Sequence, residues 1–317
     1  MEVIGIDVSK QTFDAWTQEN GHQSFGNNKE GFRAFLKWVK AGHCVMESTS
    51  TYHFQLALYL FEKGVCVSVV NPLPVKRFMQ MRLQRSKTDK SDAKMLAAYG
   101  EYEQPKLWEP EPSYMQEGKQ ILGVLELYTR QQTALKNKLD NLKSGGLKTG
   151  VMISSIKLQI KRVKGEIEKL EKELQSILKD NSQKEMTQLM SIPGIGKKTA
   201  SMLLVYSNSF KDFEEYRQFI AYVGLCPVHR QSGTSVKGRS YISKKGNKTL
   251  RNHLFLCSFT ACLHNPQCKT LYDRLVAKGK SKKLALIAVA NKLIKQSFGV
   301  IKNDLVYDPN YVSRRAA

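Results

Sequence analysis

Between Ile153 and Ile177 the apolar residues fall at Ile153, Ile156, Ile160, Val163, Ile167, Leu170, Leu174 and Ile177, in alternating steps of three and four with Lys and Glu between them. A mean spacing of 3.5 residues keeps one stripe of a helix apolar over more than three heptads, so this segment demands a long helix with a partner along its seam. A preceding helix is predicted from about Gln116 to Leu142, ending at Lys143-Ser144-Gly145-Gly146. An antiparallel hairpin within the chain and self-association between chains are therefore rival uses of the seam, and self-association is the expectation.

The segments on either side obey different patterns. Before the helices, short runs read as strands: Val3 to Val8, Thr12 to Trp16 and Gln23 to Phe25, a possible meander. A helix at Lys29 to Lys40, strand Cys44 to Met46, helix His53 to Lys63 and strand Val65 to Val70 follow. Three strands and then α-β-α-β-α is the order of a ribonuclease H-like α/β domain. The expected domains are residues 1–110 (α/β), 111–184 (a helical coiled-coil linker) and 185–317 (mainly α-helical). No apolar run reaches the roughly 18 to 20 residues of a spanning helix; the longest is Leu284 to Ala290. Glu2 stands where a signal peptide would have basic residues. No membrane span and a cytoplasmic, nucleoid-associated location are expected.

Charge separates the segments further. Residues 1–120 carry 15 basic and 14 acidic side chains, whereas residues 181–317 carry 23 and 7. From Arg217 to Lys302 there are 17 Lys and Arg and a single acid, Asp273. Such a density repels itself unless a polyanion offsets it, which points to nucleic acid. The segment Ile192-Pro193-Gly194-Ile195-Gly196-Lys197-Lys198 before an apolar run reads as a helix-hairpin-helix, with Lys197 and Lys198 beside a helix N-terminus suited to a phosphate. A phosphate contact of this kind carries no base sequence.

Two constellations suggest chemistry. Asp7 and Glu47 end apolar strands, and Asp89 and Asp92 are spaced to share one helix face. Four converging carboxylates repel one another and suit hard divalent ions, Mg²⁺ or Mn²⁺, two of which can clamp an in-line displacement at a phosphodiester. Taken singly, each acid has a plainer reading: Asp7 as a turn former, Glu47 as a helix-start acid, Asp89 and Asp92 as caps. Lys76, Arg77, Arg82, Arg85, Lys87 and Lys90 surround the Asp pair and could hold a DNA backbone over the metals. The second constellation, His229 to Arg251, sets Ser232, Ser235 and Ser243 among glycines with Arg230, Lys237, Arg239, Lys244, Lys245 and Arg251. A serine there can attack a phosphate whose developing charge the cations neutralise. The plainer alternative is a basic loop whose serines only donate hydrogen bonds. The six cysteines include no CxxC pair, so reduced thiols rather than zinc are expected.

These motifs occur in one order: Ile4-Gly5-Ile6-Asp7, Met46-Glu47-Ser48-Thr49, Asn71-Pro72, Lys87-Thr88-Asp89-Lys90-Ser91-Asp92, Pro193-Gly194-Ile195-Gly196, Gly224-Leu225-x-Pro227 and Ser232-Gly233-x-Ser235. Together they closely resemble the Piv/MooV-type invertases and the related insertion-sequence transposases. The resemblance implies a RuvC-like domain binding two metals through Asp7, Glu47, Asp89 and Asp92, a coiled-coil linker, and a transposase domain whose nucleophile maps to Ser232, with Ser235 and Ser243 as runners-up. It implies a dimer or tetramer, DNA as substrate, and for many relatives a non-coding bridge RNA. The alternative is a metal-dependent junction-resolving nuclease without a covalent serine step.

Overall fold

The computed structural model describes residues 1–39, 42–48, 51–83, 88–145, 150–228 and 241–311, with the backbone of 231–232 and 236–237. The chain divides into two compact units, Met1–Pro110 and Glu111–Ala317.

The first unit runs β1 (Val3–Val8), β2 (Thr12–Thr17), β3 (Gly21–Gly26), α1 (Lys29–Trp38), β4 (His43–Glu47), α2 (Phe54–Glu62), β5 (Cys66–Val70), α3 (Pro72–Met81) and α4 (Asp89–Glu103). One sheet of order β3-β2-β1-β4-β5 results, antiparallel among the first three strands and parallel from β1 through β4 to β5. Alternation decides its two faces. Ile4, Ile6, Cys44 and Met46 point into a core with Phe32, Phe35, Leu56 and Leu60 of α1 and α2, where Phe13 and Phe35 meet edge to face. Val45 and Val70 point the other way, against Phe78 of α3 and Leu96 and Tyr99 of α4. Gly5 and Asp7 share that second face.

At Gly5 the helix rests directly on the sheet. A Cβ there would lie 1.9 Å from the Ala93 carbonyl oxygen and 2.3 Å from the Ala97 nitrogen. Further along the same helix, a Cβ at Gly100 would meet Val45 and Val3 at 2.6 and 2.7 Å. Gly5, Ala93, Ala97 and Gly100 therefore let α4 lie backbone to backbone across β1, with its N-terminal turn at the end of the strand where Asp7 sits. Gly5→Ala is expected to cost about 3 kcal/mol or more, because the obstacle is backbone that cannot rotate away. Urea unfolding of the variant checks this, and an m-value-corrected loss under about 1 kcal/mol would refute the contact.

The second unit comprises α5 (Ser113–Ser144), α6 (Gly150–Met190), α7 (Lys197–Ser207), α8 (Tyr216–Val223), four two-residue strands β6 (Pro227–Val228), β7 (Gln231–Ser232), β8 (Val236–Lys237) and β9 (Tyr241–Ile242), then α9 (Lys248–His264), α10 (Pro266–Ala277) and α11 (Lys282–Lys302). Strand β6 pairs with β9 and β7 with β8, both antiparallel. The serine segment thus carries two separate short pairings, with Ser232 in β7.

The two long helices pack on each other, and the heptad seam contributes to this contact. Leu174 is buried with Ile121, Leu122 and Leu125 of α5, and Ile167, Leu170 and Ile177 pack around them. Residues 111–184 and 185–317, expected as separate segments, share this one core. Leu203 and Leu204 of α7, Leu254 of α9 and Leu293 of α11 belong to it as well, because a hairpin of two helices buries too little apolar surface alone. By length and composition α11 could cross a membrane, contrary to the short apolar run found by reading for uninterrupted residues. Its Leu286, Val289, Ala290, Leu293, Ile294 and Val300 are buried within the unit, as in a core helix.

The turn from α6 to α7 is built into this core. Gly194 has φ +107°, and a Cβ on it would come within 2.8 Å of the Ala261 Cβ on α9. The chain after α11 fastens the same turn. Asp304 accepts from Lys184 Nζ at 2.5 Å and Gln188 Nε2 at 2.8 Å, the Tyr307 N–H donates to Ser191 Oγ at 2.9 Å, and the Tyr307 hydroxyl donates to Asn265 Oδ1 at 2.9 Å.

Candidate active site

Four acids reach one end of the first unit by three separate routes. Asp7 is the fifth residue of β1. Since Ile6 pairs with Met46 across the parallel β1–β4 step, Asp7 and Glu47 come next to each other one residue further on. Asp89 and Asp92 are delivered by the first turn of α4, held over β1 by the Gly5 contact. Other residues close the turn and cap the helix beside them, while Asp89 and Asp92 also place negative charge at the positive end of α4. The β1–β2 turn is closed by Ser9 and Thr12, through Ser9 N–H to Thr12 O at 2.8 Å and Ser9 Oγ to Thr12 O at 2.7 Å. Helix α2 begins at Phe54, well past Glu47. Thr88 and Ser91 cap α4 reciprocally, Ser91 N–H to Thr88 Oγ1 at 3.2 Å and Thr88 N–H to Ser91 Oγ at 3.0 Å.

The electrostatic consequence falls on Asp7. Burial, then Asp92, Asp89, Glu47 and Asp14 in that order, push its carboxyl up to about 6. Among the described residues no three His, Cys, Asp or Glu side chains are closed to metal-ligand geometry. The donor set nevertheless fits a hard divalent ion: the groups are all carboxylates, and each of the other three acids destabilises the Asp7 anion in the way a cation would reverse.

Asp14 and its neighbour His22 were missed by the sequence reading. Asp14 lies directly opposite Asp7 on β2, and its Oδ1 is 2.8 Å from His22 Nε2 on β3. The available signal was the Ser9-to-Thr12 turn, which sets the hairpin register that brings Asp14 across from Asp7. Asp14→Asn is expected to lower the pH at which Asp7 ionises, because one repelling charge disappears. Carboxyl ¹³C chemical shifts followed through a pH titration would check this, and an unmoved Asp7 midpoint would contradict it.

The basic residues expected at the nucleic acid divide into three groups. Arg85, Lys87, His229, Arg230, Ser235 and Arg239 lie outside the described residues, and Ser232 and Lys237 are described in backbone only, with Ser232 opposite Val236. Lys197, Lys244 and Lys245 are exposed. Lys198 and Arg251 have protein partners instead. Lys198 Nζ contacts Glu171 Oε1 of α6 at 2.6 Å, and Arg251 Nη1 donates to the Val223 carbonyl at 2.7 Å, satisfying the C-terminus of α8. Ser243 donates its N–H to the Cys226 carbonyl at 2.9 Å, joining the segments after β9 and before β6.

Comparison with known proteins agrees with this layout. A family profile of DEDD transposases of the IS110 type matches residues 4–143, and the profile "Transposase IS116/IS110/IS902 family" matches residues 186–273. The pilin gene-inverting proteins of Moraxella bovis and Moraxella lacunata are each 32% identical to the chain, covering 96% of it and 97% of their own length. A transposase for the insertion sequence element IS1111A from Coxiella burnetii is 23% identical over 92% of the chain and 87% of its own length. With relatives matched across nearly the whole length and both profiles present in order, the chain belongs to the IS110/IS116-type family of insertion-sequence transposases and DNA invertases, and is a DNA transposase/recombinase enzyme.

Proposed function

We propose that this enzyme cuts and rejoins DNA through a transient phosphodiester to Ser232, with Asp7, Glu47, Asp89 and Asp92 holding divalent ions, Mg²⁺ or Mn²⁺, at the scissile strand. The observation that carries the reading is the convergence on Asp7 of carboxylates from a neighbouring strand and a helix turn, which add to burial, the largest cause, in pushing its carboxyl up to about 6. Bound there, the ions supply Lewis-acid stabilisation of the phosphoryl oxygens. The chain's own residues do the rest. Asp7 and Glu47 fix two carboxylates on adjacent strands, and α4 brings the other two without slack. The Ser232 oxygen forms a bond to phosphorus as the deoxyribose oxygen leaves with the electron pair and takes up a proton; the hydroxyl proton passes to a base. Rejoining reverses these steps with a second strand's hydroxyl as nucleophile.

The sheet order and the parallel β1–β4–β5 portion support a RuvC-like, ribonuclease H-like first domain. The α5–α6 pair supports a coiled-coil hairpin, and α6, the Gly194 turn and α7 support a helix-hairpin-helix with Lys197 at its tip. The excess of basic over acidic residues beyond residue 180 suits a bridge RNA alongside DNA in the bacterial cytosol.

Incubation of the full chain with element-end DNA and Mg²⁺ should leave protein covalently attached to one strand after denaturation, and a reaction that cleaves with no attached protein rejects the serine route. Oligomerisation is a further part of the proposal. The hairpin's far end exposes Val151, Met152 and Leu158 beside the half-buried Ile153, Ile156 and Ile160, an apolar surface fit for a second copy. Replacing Val151, Met152 and Leu158 together by Glu should reduce the mass seen by light scattering to that of one chain. An unchanged multimer would place the interface elsewhere.

A further inference from the structure

A cleft of about 480 Å³ in the second unit opens between α5, α6, α7 and α9, and none of the acids or serines assigned above lines it. Its size falls in the range of small-ligand sites and accommodates a nucleoside. Its floor is apolar, formed by Leu122, Leu174 and Met202. Tyr206 and His253 add two aromatic rings. The Tyr206 hydroxyl lies near the side chain of Asn247, the residue that caps α9. Burial and the nearby Lys198 lower the His253 pKa, which leaves the imidazole neutral at pH 7.

The rim is polar and carries charge. Arg130 pairs with Glu126 at 2.7 Å and Lys198 with Glu171 at 2.6 Å, so these four charges balance in pairs. Lys248, at the first residue of α9, adds a cation at the positive end of the helix dipole. Gln175 and Asn252 add amides, each with a donor and an acceptor. A hydrophobic metabolite would leave Lys248 and the amides unmatched, and an isolated phosphate would leave the apolar floor unmatched. A nucleotide matches both parts: a base face on the tyrosine ring and apolar floor, base edges on the amides, and a backbone phosphate at Lys248.

We propose that this cleft receives one unstacked nucleobase of a single-stranded segment of the nucleic acid on which the enzyme acts. The inference rests on the DNA-acting role of the chain and is independent of Ser232. A strand opened for exchange, or an unpaired RNA nucleotide, offers such a base, whereas a closed duplex does not. The cleft would hold an opened strand in place.

The test uses the full chain and short single-stranded DNA and RNA of one sequence, each with a central 2-aminopurine, beside the corresponding DNA duplex. Binding should change the 2-aminopurine emission. Tyr206→Leu should weaken single-strand binding about tenfold, the fold-change carried by one stacked base, and leave duplex binding unchanged, whereas Lys248→Glu should weaken single-strand binding about tenfold more than it weakens duplex binding. Tyr206→Phe, which keeps the ring, should bind as the parent does. Tighter binding of the DNA or of the RNA strand identifies the source of the base. Lys248→Glu replaces an exposed residue and keeps the test decisive if Tyr206→Leu does not fold. Single-strand affinities that match the parent in both variants, or duplex affinities that fall in parallel, overturn the proposal. Ser232→Ala should retain the emission change, so failure of the serine route and failure of the base site read out separately.

Discussion

Ser232→Ala should abolish the covalent protein–DNA species and reduce strand exchange by roughly 10⁴-fold or more, the scale on which removal of a nucleophile acts when nothing replaces it. Binding to DNA should hardly change, because the substitution removes one hydroxyl from a surface whose affinity comes from many cations. Denaturing gels of end-labelled element DNA measure the adduct, and gel shifts at fixed salt measure the binding. Ser235→Ala and Ser243→Ala serve as comparisons. The Ser243 N–H holds the Cys226 carbonyl, so its hydroxyl can be removed without disturbing that hydrogen bond. If Ser232→Ala still cleaves while Asp7→Ala does not, the chain is a metal-only nuclease of the junction-resolving kind and water is its nucleophile.

Asp7→Asn should have an effect of opposite sign on activity and on stability. Cleavage should fall by at least about 10³-fold, since the substitution takes away a ligand charge from the centre of the acidic cluster. The metal-free protein should become more stable at alkaline pH. The folded state holds the Asp7 proton up to about pH 6, whereas an unfolded aspartate releases it near 3.8. The folded chain therefore binds more protons between these values, and stability present below pH 4 is lost as pH rises through 6. Asparagine has no proton to lose. Because Asp7 is only half-buried, solvent screening reduces the gain to about 1 kcal/mol at pH 8, with none expected at pH 4. Calorimetry in EDTA at the two pH values checks this. A variant no more stable than the parent at pH 8 would mean that burial and the neighbouring acids together do not hold the Asp7 proton.

Local patterns sufficed for most of the first unit. The run Val3 to Val8 alternates between the two faces of the sheet, Asn28 and Thr88 cap helices, and Asn71-Pro72 opens α3, so short-range chemistry marks these boundaries. Strand ends and helix spacing made the convergence of Asp7, Glu47, Asp89 and Asp92 an expectation, and strands β1 and β4 and helix α4 bring them to one end of the unit. Contacts between distant segments had no local signal. Asp14 enters the acidic cluster by cross-strand register, Lys198 meets a glutamate 27 residues earlier, and Arg251 answers a helix carbonyl 28 residues earlier. A count of basic residues treats exposed cations such as Lys197 and internally paired ones such as Lys198 and Arg251 alike. The heptad likewise announced a partner without naming it, since a facing helix from the same chain satisfies the same spacing. Membrane-like hydropathy in α11 arose for a related reason: one broad face of the helix is buried in the core of its own unit.

The bare contact of α4 on β1 has a mechanical corollary. With main chain against main chain at Gly5, no side chain stands between β1 and α4 there whose repacking could change the height of the helix above the strand. If the acids act as proposed, control over when DNA is cut falls on what is admitted to the acidic cluster rather than on its assembly.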